Sequence, residues 1–377
     1  MNPAKELQST STCVEPPNTE KEGSHLKASA ERFTSLQNRK VVILVRTAER
    51  VDRVFPEWIR NNFTDNGEYY PDDLNLPALM FKRPEGPRGY ADDPPITEIG
   101  SLNAEMIGKS IRRNNVWPLA KIYCSPALRC VQTANSIVKG IGRPIEICVE
   151  PALFDWGYWY KNMPWLLSIE EHFRCGSMVS NKYKPITTVN EIAKCVGSET
   201  IEDFYSRVRA AVERITMTPS ADRILIVAHA TVLDAAVKGL QRCSPRLIEE
   251  KDMLHIGTQY PYACSVTLAQ SSTNWNFVHD VISEMSYLGI SNRINAKFVN
   301  RTTKTKDLPL KKPEEKKEAK EAKKPEKKKE AKEAKKPEEK KVAKDAKKPE
   351  EKKEAKEAKK PEEKKVAKDA KKPTKLA

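Results

Sequence analysis

The sequence predicts an α/β domain with a largely parallel central sheet. Apolar runs of strand length alternate with segments of helical periodicity between residue 39 and about residue 290, the region that carries all six tryptophans. Two strand–helix units are complete. AKIYCS (120–125) precedes a helix that ends at Gly140 or Gly142, and RILIVAH (223–229) precedes the helical TVLDAAVKGL. Such alternation is typical of sheets whose parallel strands are joined by helices.

The remaining elements are predicted from the same patterns. VVILV (41–45) is apolar and mostly β-branched, which predicts a buried strand, and IEICV (145–149) predicts another. Ser125 is the expected N-cap of the helix after the second strand, with Pro126 at its first position. Further predicted elements are a helix that begins at Thr200 and two strands near CSVTLAQ (264–270) and WNFVHDVI (275–282).

Composition divides the chain into three parts. Residues 1–38 are polar without an apolar period and are predicted to be disordered, residues 39–295 form the domain, and residues 296–377 are predicted to be a disordered tail. The tail repeats KKPEEKKEAKEA and close variants every 12 residues from position 311. Each copy contains a proline, which interrupts any helix.

The positive charge of the chain belongs to the tail. The formal net charge is +15, and residues 301–377 hold 32 basic against 18 acidic residues, whereas residues 1–300 hold 35 against 34. A nearly neutral domain removes the simplest reason to expect a nucleic-acid-binding domain. The tail is interpreted either as a solubilising extension or as a weak, salt-dependent arm for acidic partners. A third hypothesis makes the tail itself the functional element.

The cysteines and the N-terminus predict a cytoplasmic or nuclear protein. The eight cysteines form no CxxC pair, and neither an apolar signal segment nor an 18-residue apolar run is present. Reduced thiols are therefore expected. The sequence has no metal-ligand spacing and no phosphate-binding glycine loop, so no metal and no cofactor are expected.

Four predicted strands end close to residues suited to phosphate chemistry. Arg46 and Arg50 follow the first strand, Arg129 lies early in the helix after the second, Glu150 follows the third and His229 the fourth. The carboxyl ends of parallel strands meet at one edge of a sheet, where ligands bind. Arginine forks bind phosphate dianions, and a carboxylic acid can protonate a leaving oxygen. These residues therefore predict a phosphomonoester site.

Structural roles are the alternative for each of these residues. Arg46 and Arg50 could form salt bridges with Glu49 and Asp52. Glu150 could be a helix-start carboxylate before Pro151, and His229 could be a core histidine. Cys124 precedes Arg129 by one residue fewer than the loop of cysteine phosphatases requires, so Cys124 is interpreted as a core residue.

The chain resembles the histidine phosphatase superfamily and, within it, the phosphatase domain of the Sts (suppressor of T-cell receptor signalling) proteins and of ecdysteroid-phosphate phosphatases. The resemblance implies a three-layer phosphoglycerate-mutase-like fold and, as for Sts phosphatase domains, a homodimer. Its motifs are RTAERVD (46–52), PITEIG (95–100), YCSPALRCVQTA (123–134), EPALFDW (150–156), KYKPI (182–186) and ILIVAHATVLDA (224–235).

The resemblance also implies roles for the candidate site residues. Arg46, Arg50 and Arg129 would clamp phosphate together with His229, and Glu150 would donate the proton. Three arginines that face one another repel unless an anion lies between them, which favours phosphate binding.

Thr47 is the residue at which the chain departs from the family pattern. The first motif of the family reads Arg-His-Gly-Glu-Arg, and its histidine is the nucleophile that becomes phosphorylated; here Thr47 and Ala48 stand in place of the histidine and the glycine. A threonine hydroxyl needs an adjacent general base to attack. The sequence therefore predicts an inactive or severely impaired phosphatase that binds phosphorylated ligands. The alternative is an active phosphomonoesterase or protein phosphatase that uses a non-standard nucleophile or water.

Overall fold

A six-stranded mixed sheet is the centre of the domain. The computed structural model describes residues 36, 39–114, 116, 119–218, 222–243, 249–287 and 290–300. The strands of this part of the chain are β1 (Val41–Arg46), β2 (Lys121–Cys124), β3 (Ile147–Val149), β4 (Arg223–Ala228), β5 (Ser265–Ser271), β6 (Asn274–Val278), β7 (Ser286–Tyr287) and β8 (Ile290–Ser291).

The sheet has the strand order β3–β2–β4–β1–β5–β6. The first four strands of this order are parallel, and β5 and β6 add to the β1 edge in the antiparallel direction. β7 and β8 form a separate two-stranded ribbon. The predicted α/β class with a largely parallel sheet is confirmed.

Helices cover the sheet and connect its strands. Within the described residues they are α1 (Val51–Val54), α2 (Trp58–Asn62), α3 (Glu98–Arg113), α4 (Leu128–Ile141), α5 (Ile169–Arg174), α6 (Val189–Ala193), α7 (Ile201–Thr216), α8 (Ala230–Leu240), α9 (Glu250–Gln259) and α10 (Ala296–Val299). Short 3₁₀ helices lie at Pro87–Tyr90, Pro151–Leu153 and Gly157–Trp159. No helix in the described part of the chain is long and apolar enough to cross a membrane.

The alternating side chains of β1 divide the core into two layers. Val41, Ile43 and Val45 pack with α3 and α4 on one face, whereas Val42 and Leu44 pack with α7, α8 and α9 on the other. All five are at most 1% exposed. A strand that is apolar at every position, as β1 is, fits a sheet buried on both faces. The result is the predicted arrangement of three layers.

Helices α3 and α4 approach each other closely because glycines lie where they cross. A methyl group at Gly108 would lie 2.1 Å from the carbonyl oxygen of Ile137, and one at Gly140 would lie 2.0 Å from that of Glu105. Neither distance is possible for a real side chain, so both positions require glycine for this packing. Helix α4 ends at Gly142, which has φ +73° as a left-handed C-cap.

Three predicted boundaries differ from the structure. Helix α4 begins at Leu128 after Ala127, not at Pro126, and Ser125 does not cap it. The folded part extends past residue 295, because α10 carries the buried Val299 and the Lys238 ammonium donates to the carbonyl of Val299. The buried Leu36 also belongs to the core rather than to a disordered segment. The predicted disorder of residues 1–35 and of the repeats lies outside the described residues.

Candidate functional site

A cavity of ≈ 1070 Å³ opens where the parallel strands end. Backbone hydrogen bonds continue past the strands there: the Thr47 amide donates to the carbonyl of Ala228 (2.8 Å), and the Ser125 amide donates to that of Val227 (3.1 Å). The segments that follow β1, β2 and β4 are therefore held side by side. Five of the six predicted site residues line the cavity: Arg46, Thr47, Arg50, Arg129 and His229.

Arg46 is anchored at the end of β1 by groups from α9 and the segment after it. Its Nη1 donates to the carbonyl of Gly257 at 2.8 Å and to that of Tyr260, and its Cζ lies 3.9 Å from the ring centroid of Tyr262. The alternative pairing with Glu49 is not seen, since the Glu49 carboxylate accepts from the Thr97 hydroxyl (2.9 Å). These contacts fix the guanidinium in the cavity wall.

Arg50 has an internal counterion at the cavity. Its Nε and Nη2 donate to the two carboxylate oxygens of Asp52, both at 2.8 Å. This bidentate pair is the arrangement that the sequence left open as a structural alternative. A phosphate that binds Arg50 must therefore share or displace the Asp52 carboxylate.

Arg129 is buried beneath the cavity among oxygen and nitrogen acceptors. Its guanidinium lies 3.7 Å from a carboxylate oxygen of Asp155 and 3.8 Å from one of Asp93, and it donates to the Tyr160 hydroxyl (3.1 Å). Asp93 also accepts from the Leu128 amide at the start of α4 (2.8 Å). The charge of Arg129 is thus balanced before any ligand enters. The predicted repulsion between the arginines is offset by carboxylates.

His229 lies between Ser125 and Asp155. Its Nε2 is 2.8 Å from the Ser125 hydroxyl, and its Nδ1 is 3.4 Å from a carboxylate oxygen of Asp155. Burial and the nearby arginines lower the pKa of His229 to about 3 despite the Asp155 carboxylate. The imidazole is therefore neutral at pH 7, and the hydrogen-bond partner of its Nδ1 is Nη2 of Arg129, at 3.3 Å. The contact with His229 also explains why Ser125 does not cap α4.

Asp155 is a site residue that sequence reasoning missed. It lines the cavity, and one carboxylate oxygen accepts from the Thr231 hydroxyl (2.6 Å) and the Trp156 amide (3.0 Å). Burial alone would raise the pKa of Asp155, but His229, Arg129 and these hydrogen bonds lower it, so the carboxyl is ionised. Its other oxygen faces His229 and Arg129.

Glu150, the predicted proton donor, does not reach the cavity. Its buried carboxylate accepts from the Tyr183 hydroxyl (2.6 Å) and from the backbone amides of Ala152 (3.0 Å), Ile186 (2.7 Å) and Thr187 (3.2 Å). The Ala152 contact caps the 3₁₀ helix that opens at Pro151, which is the structural alternative noted for the sequence. With its acceptor oxygens occupied, Glu150 fixes a loop, and Asp155, five residues later, is the carboxylate that faces Arg129 and His229.

Thr47 lies at the cavity floor, but its hydroxyl contacts α4 and the neighbouring backbone. The oxygen is 3.3 Å from both the Arg129 carbonyl and the Thr133 hydroxyl, and 3.4 Å from the carbonyl of Ala48. Among the hydrogen bonds of the described residues, none joins this hydroxyl to a histidine or a carboxylate. Within the described residues, the Thr47 hydroxyl therefore makes no hydrogen bond to a group that could serve as its general base.

The other histidines of the described part of the chain, His172, His255 and His279, are outside the cavity lining. His172 is fully buried on α5, and neither ring nitrogen has a hydrogen-bond partner among the residues that the structure describes. Burial lowers the pKa of His172 to about 4. Cys124 is a buried core residue at the end of β2, as predicted. In the described residues, no group of three or more His, Cys, Asp or Glu side chains forms a metal site.

Comparison with known proteins identifies the family. A model of the histidine phosphatase superfamily (branch 1) matches residues 83–269. The chain contains a histidine phosphatase superfamily domain. It is 33% identical over 247 residues to an ecdysteroid-phosphate phosphatase of Drosophila melanogaster, a match that covers 64% of this chain and 32% of the relative.

Two further similarities extend this result. The chain is 30% identical over 259 residues to the human ubiquitin-associated and SH3 domain-containing protein A, covering 65% of this chain and 37% of that protein. The crystal structure of the Bombyx mori ecdysone phosphate phosphatase in complex with tungstate superposes with a TM-score of 0.57 at 27% identity, covering 69% of this chain and 100% of that one. The matches span about a third of the length of the curated relatives.

Proposed function

We propose that the domain binds phosphate or a phosphomonoester ligand in the arginine-lined cavity and hydrolyses it inefficiently or not at all. The observation that carries this proposal is the placement of Thr47. Its hydroxyl is bonded to the backbone and to Thr133, while Arg46, Arg50 and Arg129 keep guanidinium groups at the cavity. The binding groups of the site are present, and an activated nucleophile at position 47 is not.

Binding is supported by the charge and shape of the cavity. Four arginines line it, Arg46, Arg50, Arg53 and Arg129, against the acidic side chains of Glu49, Asp92 and Asp155. The related Bombyx mori structure holds tungstate, a tetrahedral oxyanion that mimics phosphate. Arginine guanidinium groups match the planar pairs of oxygens on such anions.

Impaired turnover is supported by the chemistry of threonine. Removal of the nucleophile from a coupled catalytic site can lower kcat by on the order of 10⁶. A phosphothreonine ester is also far more inert than a phosphohistidine, so a phosphorylated Thr47 would not turn over readily. Both effects act against efficient hydrolysis.

The first test compares p-nitrophenyl phosphate hydrolysis by the native chain and by the double variant Thr47→His/Ala48→Gly. We expect the native chain to be silent and the double variant to gain at least about three orders of magnitude in kcat/KM, because the clamp, His229 and Asp155 are already in place. His229→Ala in the double variant is the control and should abolish the gain. A native chain that turns over at phosphatase rates contradicts the proposal.

An active phosphomonoesterase is the second candidate, and the His229–Asp155 pair supports it. An ionised carboxylate 3.4 Å from a neutral imidazole is an acid–base pair at the cavity, which can act on a bound water. This candidate predicts native turnover that disappears in His229→Ala. Turnover that survives His229→Ala would indicate a contaminating phosphatase instead.

Ligand binding is tested by thermal unfolding of the native chain with inorganic phosphate. A ligand at 100 times its Kd stabilises the folded state by about 2.7 kcal/mol, which raises Tm by a few degrees. We expect this rise at millimolar phosphate. Absence of any shift at that concentration counts against the binding function.

We also propose a homodimer and an acidic partner for the basic tail. The dimer rests on the resemblance to Sts phosphatase domains, and the acidic partner rests on the charge of residues 301–377. Light scattering after gel filtration tests the first, with a monomer mass at 10 μM as the contradicting result. The acidic partner is tested by cation-exchange chromatography. The full chain should be retained in a salt-sensitive way, whereas a chain that ends at residue 300 should not.

A further inference from the structure

Tyr160 is a cavity residue that the sequence motifs did not single out. It follows the 3₁₀ helix Gly157–Trp159, and its amide donates to the Gly157 carbonyl (3.1 Å). Its ring packs on Phe154 with centroids 5.0 Å apart, and Phe154 in turn lies edge-on to His229 at 6.3 Å. The tyrosine is therefore held in the cavity wall beside the catalytic-position histidine.

The Tyr160 hydroxyl has an unused proton. Its oxygen accepts a hydrogen bond from Nη2 of Arg129 (3.1 Å), and among the hydrogen bonds of the described residues this is the only one that it makes. A buried or partly buried hydroxyl normally also donates. Acceptance from a charged guanidinium polarises the O–H bond and makes it a stronger donor.

The protonation state of Tyr160 suits a donor and not an attacking group. Burial raises the pKa of Tyr160 to about 12, although Arg129 and Arg50 act in the opposite direction. The phenol therefore keeps its proton at neutral pH. An oxyanion bound in the cavity would be an acceptor for the hydrogen bond that this proton can donate.

The hydroxyls of Thr47 and Tyr160 both lie at the cavity and both contact Arg129, but at different parts of that residue. The Thr47 oxygen is 3.3 Å from two groups of α4, the Arg129 carbonyl and the Thr133 hydroxyl. The Tyr160 oxygen meets Arg129 at its guanidinium, the part that a phosphate would contact. Of the two, Tyr160 is the hydroxyl that is positioned to reach a bound anion.

We propose that the Tyr160 hydroxyl is a direct ligand of the bound oxyanion and donates a hydrogen bond to it beside Arg129. This inference rests on the proposed binding function and adds a specific phosphate ligand to it. The shared chemistry of the ligand is a tetrahedral dianion, either inorganic or the head of a phosphomonoester.

The test is calorimetric titration of the full chain with inorganic phosphate and with tungstate, comparing the native chain with Tyr160→Phe. The phenylalanine keeps the ring that packs on Phe154 and removes only the hydroxyl. Hydrogen bonds to charged groups are among the stronger ones in proteins, so we expect Kd to rise about tenfold or more for both anions. Tyr158→Phe is the matched control, because Tyr158 is exposed, stacks on Trp156 and is outside the cavity lining. Its Kd should stay within about twofold of the native value.

The outcomes separate this inference from the proposed function. Failure of the native chain to bind either anion overturns the proposed function and the inference with it. Equal binding by the native chain and Tyr160→Phe overturns the inference alone. A crystal structure of the native chain with tungstate separates direct contact from an effect through Arg129. A tungstate oxygen within about 3.2 Å of the Tyr160 oxygen supports direct contact, whereas a separation beyond about 4 Å overturns it.

Discussion

The contact between α3 and α4 and the cavity at the strand ends are packed in opposite ways. Between the helices, Gly108 and Gly140 remove side chains so that two backbones meet, and the residues around them are apolar. At the cavity, charged side chains are brought close together, and each of the three clamp arginines has carbonyl or carboxylate partners. The first region is held by shape and the second by matched charge.

The difference shows where each region tolerates change. Backbone contact between helices has no room for an added atom, so its sensitivity is steric and independent of pH and salt. The cavity groups are neutralised by one another, so its sensitivity is electrostatic. The predictions that follow separate these two kinds of sensitivity.

The largest effect on stability is expected for Gly140→Ala. The added methyl group would lie 2.0 Å from the Glu105 carbonyl oxygen, which forces α3 and α4 apart. We expect the free energy of unfolding to fall by about 3 kcal/mol, measured by urea denaturation. Met106→Ala, at an exposed position of α3, is the control and should change it by less than about 0.5 kcal/mol. Similar values for the two variants would show that the helices can separate freely.

An intermediate effect is expected at His172, a buried side chain whose ring nitrogens have no hydrogen-bond partner in the described part of the chain. Its folded-state pKa of about 4 lies below the usual 6.5 of histidine, so the unfolded state binds the proton more tightly. Stability is therefore lost as pH falls from about 6.5 toward 4, by up to about 3 kcal/mol from this residue. Replacing His172 with leucine should flatten that part of the pH profile.

The measurement is urea denaturation of the native chain and His172→Leu at pH values from 4.5 to 8. His229 contributes to acid sensitivity with the same sign, so the difference between the two profiles is the informative quantity. His255→Ala, a change at an exposed histidine, controls for the loss of an imidazole as such. Parallel native and His172→Leu profiles would contradict the assignment.

The smallest effect is expected for Asp52→Asn, which leaves stability almost unchanged and alters ligand affinity. The substitution weakens the bidentate pair that occupies Arg50. We expect phosphate to bind about threefold to tenfold more tightly by calorimetry, in keeping with a partly exposed ion pair. Asp65→Asn, an exposed acid outside the cavity lining, controls for net charge. Unchanged or weaker phosphate binding by Asp52→Asn would mean that Asp52 does not compete with the ligand.

The fold was predictable from local patterns because periodicity encodes it. VVILV identified a strand buried on both faces, and α4 ends at Gly142, one of the two glycines predicted to end it. The antiparallel direction of β5 and β6 was not predictable, since an apolar run carries no information about the direction of its neighbour. The start of α4 was misplaced because Ser125 has a tertiary partner, His229, 104 residues away in the sequence.

The position of the arginines and of His229 at the cavity was predictable, and that of Asp155 was not. Arg46 is the last residue of a strand, and three further residues follow a strand closely: Arg50, Arg129 and His229. Strand ends alone therefore place all four at the cavity. Glu150 also follows a strand, but its carboxylate caps the 3₁₀ turn at Pro151. Asp155, after that turn, reaches the cavity instead. The sequence contained a signal for this capping role, because Glu150 directly precedes Pro151 and a carboxylate before a proline often begins a helical turn.

The pairing of Arg50 with Asp52 also bears on how the cavity behaves in a salt solution. An arginine cluster without internal counterions would be filled by chloride, which is abundant and carries one charge. An anion that binds Arg50 must compete with the Asp52 carboxylate for the guanidinium. A dianion with several acceptor oxygens competes more strongly than a monovalent anion. We therefore expect chloride to compete weakly with phosphate in the native chain and noticeably in Asp52→Asn. In this way Asp52 lowers the affinity of the cavity for anions and raises its selectivity for doubly charged ligands.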